Sequence, residues 1–118
     1  MSEEIVTIVL QEAPYGKENN WNALRLAEAL IVERVKVRIF LYGDSVLTAK
    51  KDQATPTGFY NLGEMVKVLI KKGAEIRSCL TCTKARGLTQ DDFVEGAVVG
   101  KTLDLARWIK DSTKVLSL

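Results

Sequence analysis

Short apolar runs and amphipathic segments alternate along the whole chain. The first run, IVTIVL at Ile5–Leu10, is rich in β-branched residues and lacks strict alternation, which is typical of a strand buried on both faces of a sheet. Four further strands are predicted at residues 35–44, 74–79, 97–99 and 114–118. In the second strand, Val35 and Val37 alternate with Lys36 and Arg38. One face of that strand is therefore expected to be partly solvated.

Apolar positions at helical spacing predict three helices between these strands, over residues 21–33, 61–72 and 101–111. Gly73 stands directly after the second of these helices, where a helix-ending glycine is expected. The residues of the third helix that are expected to face inward are Leu103, Ala106 or Leu105, and Ile109.

The alternation of strands and helices, with no internal repeat and no linker, predicts one domain over residues 1–118. We expect a three-layer α/β/α fold with a mostly parallel five-stranded sheet, whose strand order the pattern leaves open. In such sheets, ligands and catalytic groups collect at the carboxyl ends of the strands. The loops expected at that edge are residues 11–20, 43–58 and 79–89, and the third loop begins at a cysteine.

Composition excludes several classes of protein. The net charge is +2 with lysines scattered among acids, which is unlike the clustered basic face of a nucleic-acid-binding protein. The apolar runs are too short to span a bilayer, and the acidic start MSEEIV lacks the basic region of a signal peptide. We therefore expect a cytoplasmic protein. The chain has no histidine, which removes Ser-His and Cys-His catalytic dyads and most catalytic zinc sites.

Two further segments resemble functional motifs but have simpler interpretations. GAVVGKT, from Gly96, lacks the first glycine of a phosphate-binding loop because Glu95 stands there, so we interpret it as a strand followed by a helix. TQDDF is interpreted as a capped helical turn with Thr89 as its N-cap. Asp91, Asp92 and Glu95 are then acids that complement a helix dipole rather than metal ligands.

The segment IRSCLTCTKARGL holds the strongest candidate chemistry, since it contains both cysteines of the chain. Four interpretations are open: half of a shared zinc site, a redox disulfide pair, two small core residues, or a nucleophilic thiol. In the last, Cys79 lies at a strand end, with Lys84 and Arg86 a few residues away. Nearby cations and backbone N–H groups favour the reactive thiolate and would also stabilise a persulfide anion.

The pattern C-x-x-C-x-x-x-R-G at Cys79, Cys82, Arg86 and Gly87 resembles the two-cysteine subgroup of the DsrE/DsrF-like (YchN-like) family. The resemblance extends over nearly the whole chain, including APYGKENNWNALRLAEAL, VRIFLYGDSV and GFYNLGEMVKVLIKKGAEIRSC. It implies a small α/β protein that assembles as a homotrimer or homohexamer. It also implies a sulfur carrier that holds a persulfide on Cys79, receives it from a donor protein and passes it to the thiol of an acceptor protein, without a metal or cofactor.

Within that resemblance, Arg86, Gly87 and Lys84 are expected to hold the persulfide, and Tyr15 and Asp44 are further candidates to line the site. Cys82 either resolves the persulfide as a disulfide or packs nearby. The aromatic residues expected to meet a neighbouring subunit are Tyr42, Phe59 and Tyr60. Two alternatives stay open: an oligomeric small-ligand-binding or scaffold module with unreactive cysteines, and a C-x-x-C thiol-disulfide oxidoreductase.

Overall fold

The computed structural model describes residues 3–58 and 60–118. Five strands form one sheet in the order β4-β3-β2-β1-β5, and every pairing is parallel. The predicted α/β class with a mostly parallel five-stranded sheet is therefore confirmed. The strands are β1 (Ile5–Leu10), β2 (Lys36–Leu41), β3 (Glu75–Cys79), β4 (Ala97–Gly100) and β5 (Lys114–Ser117).

Four α-helices and two short 3₁₀ helices connect the strands. The α-helices are α1 (Asn19–Val32), α2 (Leu62–Lys71), α3 (Leu80–Ala85) and α4 (Thr102–Asp111), and the 3₁₀ helices are Gly43–Ala49 and Gln90–Asp92. Helix α3 and the first 3₁₀ helix lie in segments that the sequence pattern predicted as loops. No helix in the described part of the chain has both the length and the apolar character needed to cross a membrane.

The chain order of the sheet places the helices in two layers. The chain moves from β1 to β2 to β3 in one direction across the sheet, so right-handed crossovers put α1 and α2 on the same face. It then returns from β4 at one edge to β5 at the other, which puts α4 on the opposite face. The crossover from β3 to β4 runs in the same direction, so the short α3 lies on the side of α1 and α2, and α4 covers the other face.

Helix α4 covers its face of the sheet through a different stripe from the predicted one. Leu105 is buried as expected, and Trp108 is the second buried residue of the helix. Of the alternatives Ala106 and Leu105, Leu105 is therefore the inward residue. The exposed fractions of Leu103 and Ile109 are 57% and 44%, so those two inward predictions are wrong. The Trp108 ring lies edge-on to Phe40 at 6.1 Å. Packing of this large ring over β2 fixes the rotation of the helix.

The simpler interpretations of GAVVGKT and TQDDF, as ordinary structural elements, are confirmed. GAVVGKT contributes β4 and the start of α4, with no phosphate-binding loop between them. At TQDDF the backbone N–H of Thr89 donates to the Asp92 carboxylate at 2.8 Å, which caps the short helix Gln90–Asp92.

The outer edge of β4 is closed by a side chain. The Gln90 amide donates to the Ala97 carbonyl and accepts from the Val99 N–H, each at 2.7 Å. One residue of a neighbouring parallel strand would use the same pair of backbone groups. The Ala97 N–H is occupied as well, because it donates to the carbonyl of Val94 at 3.1 Å. Gln90 thus takes the place of a further strand beside β4.

Candidate functional site

Both cysteines lie at the corner where β3 turns into α3. Cys79 is the last residue of β3 and the N-cap of α3, so its backbone leaves the strand and enters the helix at one position. Cys82 follows three residues later, about one helical turn on, which brings its side chain back toward Cys79. Both thiols are free. Cys79 is buried, with 4% of its surface exposed, whereas Cys82 is partly exposed.

The surroundings of Cys79 hold its thiol in the protonated form. Burial raises the pKa of the Cys79 thiol above its ordinary value, and the adjacent Cys82 side chain raises it further. The backbone N–H groups of Cys82 and Thr81, in the first turn of α3, lower the pKa but do not outweigh burial. The expectation that neighbouring cations would favour a thiolate in the resting protein is therefore wrong, since burial is the larger effect.

Arg86 is near the cysteines but is engaged with other groups. Its Nη2 and Nε atoms donate to Asp44 Oδ1 at 2.7 and 3.1 Å, and its Nη1 donates to the Cys82 carbonyl at 2.9 Å. The expected site residues Arg86, Asp44 and Cys82 are thus brought together by direct contacts. In this arrangement the guanidinium is paired with a carboxylate and a backbone carbonyl rather than with the thiol.

Gly87 has a conformational role. Its φ of +71° lies in the left-handed region, and it directly follows Arg86, the C-cap of α3. The Gly87 N–H donates to the Lys84 carbonyl, and the Leu88 N–H donates to the Thr83 carbonyl. This pair of bonds is a Schellman motif, which ends a helix at a left-handed residue. The R-G pair therefore closes the helix that the C-x-x-C pair opens.

Lys84 and Tyr15, two further candidates, lie outside this set of contacts. Lys84 is exposed and lines a shallow groove of about 310 Å³ together with Leu88 and Val99. Tyr15 belongs to the first loop, and its hydroxyl reaches the start of α2. There it donates to Gln53 and accepts from the Leu62 N–H at 3.0 Å. The structure places Tyr15 in a separate aromatic cluster, stacked on Tyr60 at 6.3 Å, rather than beside the cysteines.

The sequence patterns missed a buried polar cluster that supports Asp44. Asn20, Ser45 and Thr48 are fully buried, and the Asn20 Nδ2 atom lies 3.0 Å from Ser45 Oγ and 2.8 Å from Thr48 Oγ1. The same Nδ2 atom lies 2.9 Å from the carbonyl of Glu12. Asn20 therefore joins the first loop to the 3₁₀ helix that carries Asp44. The sequence pattern placed Asn20 in the predicted loop at residues 11–20, where no local signal marks a buried side chain.

The acidic residues after the cysteines do not form a metal site. Among the described residues, no group of three or more histidine, cysteine, aspartate or glutamate side chains is arranged to hold a metal ion. Asp92 is occupied by the capping bond to Thr89. The Phe59 that was expected at a subunit interface lies outside the described residues.

Comparison with known proteins agrees with the fold. A sequence model of the DsrE/DsrF-like family matches residues 4–118. The chain belongs to the DsrE/DsrF-like family. An uncharacterized protein of Methanopyrus kandleri is 42% identical over 113 residues, which cover 96% of this chain and 93% of that protein. Protein YchN of Escherichia coli strain K12 is 34% identical over 114 residues, covering 95% and 97% of the two chains.

The solved structures agree with the sequence comparison. The crystal structure of YchN from E. coli superposes with a TM-score of 0.90, covering 99% of this chain and all of YchN, at 34% identity. A protein of unknown function from Methanobacterium thermoautotrophicum, MTH1491, has a TM-score of 0.80 at 16% identity, a likeness of fold alone. The five-stranded parallel sheet with flanking helices is thus the fold of the family.

Proposed function

We propose that this DsrE/DsrF-like protein is a sulfur carrier that holds a persulfide on Cys79 and passes the outer sulfur to the thiol of a partner protein. The observation that carries the proposal is a free cysteine at the carboxyl end of an interior parallel strand, where ligands and reacting groups collect in such sheets. The protein is proposed to work in the reducing cytoplasm as a homo-oligomer, a trimer or hexamer, as the family resemblance implies.

Loading is a thiol exchange without net oxidation. The Cys79 thiolate attacks the outer sulfur of a donor persulfide, a new S–S bond forms at Cys79, and the S–S bond of the donor breaks. The donor leaves as a thiolate and takes up the proton that Cys79 lost. For delivery, the thiolate of the acceptor attacks the outer sulfur, and Cys79 leaves as a thiolate.

The resting pKa of Cys79 is consistent with a carrier that is inactive until a partner docks. A buried, protonated thiol reacts slowly with general oxidants and electrophiles, because the thiolate is the nucleophile. The two N–H groups of α3 that lower the pKa of Cys79 are positioned to stabilise a negative charge on the sulfur once its proton is lost. Arg86 would assist after leaving Asp44.

A second function, reversible disulfide formation, is favoured by one contact. The Cys82 side chain lies within hydrogen-bonding reach of Cys79 and adds to the rise in its pKa. Attack of the Cys82 thiolate on the inner sulfur of a Cys79 persulfide would give a Cys79–Cys82 disulfide and release hydrosulfide. The same pair without sulfur loading would be a thiol-disulfide oxidoreductase.

The test is the intact mass of the protein after mixing with a small-molecule persulfide donor. The wild type and Cys82→Ser are expected to gain one sulfur atom that a reductant removes, and Cys79→Ser is expected to gain none. Loss of two hydrogen atoms in the wild type, with no sulfur gained by Cys82→Ser, would favour the oxidoreductase. The same loss in the wild type with sulfur gained by Cys82→Ser would mean that Cys82 resolves a Cys79 persulfide. No change in any form, after an incubation long enough for iodoacetamide to modify Cys79 in a parallel sample, would contradict the carrier and leave the ligand-binding or scaffold module as the better interpretation.

A further inference from the structure

Helix α3, which covers Cys79, is short, and half of its residues are exposed. It has six residues, far fewer than a helix needs to be stable in isolation. Thr83 is its only fully buried residue, and the Thr83 hydroxyl has no hydrogen-bond partner within the described part of the chain. The position of α3 therefore depends on contacts with the segments around it, and such an element opens locally at low cost.

The neighbouring 3₁₀ helix Gly43–Ala49 is fixed much more firmly. Ser45, Val46, Thr48 and Ala49 are buried within it, and Asn20 binds it through two side-chain hydrogen bonds. Asp44 stands in its first turn with a largely exposed side chain. A carboxylate on a largely buried element thus faces a short helix with a single fully buried residue.

Arg86 joins these two elements. Through Nη2 and Nε it contacts Asp44, and through Nη1 it contacts the Cys82 carbonyl, so one side chain ties the last turn of α3 to the 3₁₀ helix. At the other end of α3, the first turn surrounds the Cys79 sulfur, with the backbone of Thr81 and the side chain of Cys82 against it. Holding α3 in place therefore holds Cys79 covered.

We propose that Asp44 is a positioning residue for the thiol site: by pairing with Arg86 it keeps α3 closed over Cys79, and release of Arg86 uncovers the thiol to a partner protein. We call the Asp44–Arg86 pair the latch. The role of Asp44 in admitting a sulfur-bearing partner rests on the proposed function. The effect of the latch on access to the Cys79 thiol does not depend on sulfur transfer.

The experiment measures how fast iodoacetamide alkylates Cys79 in the folded protein. All variants carry Cys82→Ser, so that a single thiol is counted, and this change leaves the Cys82 backbone carbonyl in place. Asp44→Asn removes the charge with little change in shape. It is expected to speed alkylation about two- to fivefold, the range that the loss of one exposed ion pair gives. Salt at about 1 M should speed alkylation of Cys79 in the parent, Cys82→Ser, because it screens the Asp44–Arg86 ion pair. It should not speed alkylation in Asp44→Asn, which lacks that pair.

Glu28→Gln is the matched control. The Glu28–Lys72 ion pair, at 3.1 Å, also joins two elements distant in sequence and is similarly exposed, but it links α1 to α2 away from the cysteines. Its loss is expected to leave the alkylation rate of Cys79 unchanged. Arg86→Gln should speed alkylation as Asp44→Asn does. Adding Asp44→Asn to Arg86→Gln should then have no further effect, since Asp44 acts through Arg86.

The outcomes separate the latch from the carrier function. Alkylation of Asp44→Asn at the rate of the parent, or equal acceleration by Glu28→Gln, would overturn the latch even if Cys79 takes up sulfur. Faster alkylation in Asp44→Asn alone would support the latch even if no sulfur is gained. A restored slow rate in Asp44→Glu, which keeps the charge, would further distinguish a latch from a general loss of stability.

Discussion

Cys79 and Cys82 are three residues apart, yet the fold gives them different chemistry. Cys79 ends a strand, where the sheet and the first turn of α3 bury it, and burial raises its thiol pKa. Cys82 lies inside α3 and is partly exposed. The proposed sulfur acceptor is thus the less accessible thiol of the pair. Position in the fold, rather than residue type, decides which cysteine is accessible to a reagent in solution and which one is expected to react only with a docked partner protein.

The largest effect that tests this difference is the order of alkylation. In the folded wild type at pH 8, iodoacetamide is expected to modify Cys82 at least about tenfold faster than Cys79, because accessible thiolate governs the rate. Intact mass over time in Cys79→Ser and Cys82→Ser measures each thiol separately. The two rates should converge in concentrated urea. Faster modification of Cys79 in the folded protein would show that the corner is open in solution.

A smaller effect is expected from Gly87→Ala. The Cβ atom added at this position would have no other atom within 4 Å. The expected loss of unfolding free energy, about 1–2 kcal/mol, therefore comes from the left-handed backbone alone. The measurement is urea unfolding together with alkylation of Cys79. The change should loosen the end of α3 and speed that alkylation.

Gly73→Ala is the control for this variant. Gly73 also has a positive φ, +103°, with open space around it, and it ends α2 rather than α3. It should lose at least as much stability as Gly87→Ala, because its φ lies further from the left-handed region that L-residues adopt, while Cys79 alkylation keeps its rate. Equal acceleration in both glycine variants would mean that global stability, not the end of α3, controls access to Cys79.

The smallest effect is the pH dependence of stability that Cys79 contributes. A thiol whose pKa is raised in the folded state stabilises the fold below the pKa of the unfolded thiol, about 8.5, and this stability is lost as pH rises above that value. The urea midpoint of the wild type should therefore fall between pH 8 and pH 9.5 by more than that of Cys79→Ser. Cys82→Ser should show a smaller fall than the wild type but a larger one than Cys79→Ser, because the Cys82 side chain adds to the raised pKa of Cys79 while burial remains. Parallel curves for the wild type and Cys79→Ser would show that Cys79 ionises equally in both states.

The fold was largely predictable because burial on two faces leaves a clear pattern. The run Ile5–Leu10 and the helical spacing of α2 show directly in the sequence, since each depends on local periodicity. Helix α3 could not be predicted in this way. Its six residues, LTCTKA, are too few to show a period, and the contacts that hold it come from elsewhere in the chain.

The position of the candidate site could be predicted from the sequence, but the pairing of its side chains and the pKa of Cys79 could not. The end of β3 placed Cys79 at the edge of the sheet where such groups collect, and the family pattern singled out Arg86. The pairing of Arg86 with Asp44 joins residues 42 positions apart and leaves no local signal. The burial of Cys79 also leaves no local signal in the sequence. It raises the pKa of the thiol, which the nearby cations were expected to lower.

The amide of Gln90 beside β4 also bears on how copies of this chain can meet. A second molecule that extended the sheet across this edge would have to displace an intramolecular group whose effective concentration at the strand is far above that of any free protein. Competition of this kind disfavours edge-to-edge growth without using charge or proline. Copies that associate are therefore expected to leave the β4 edge unpaired and to meet through other surfaces.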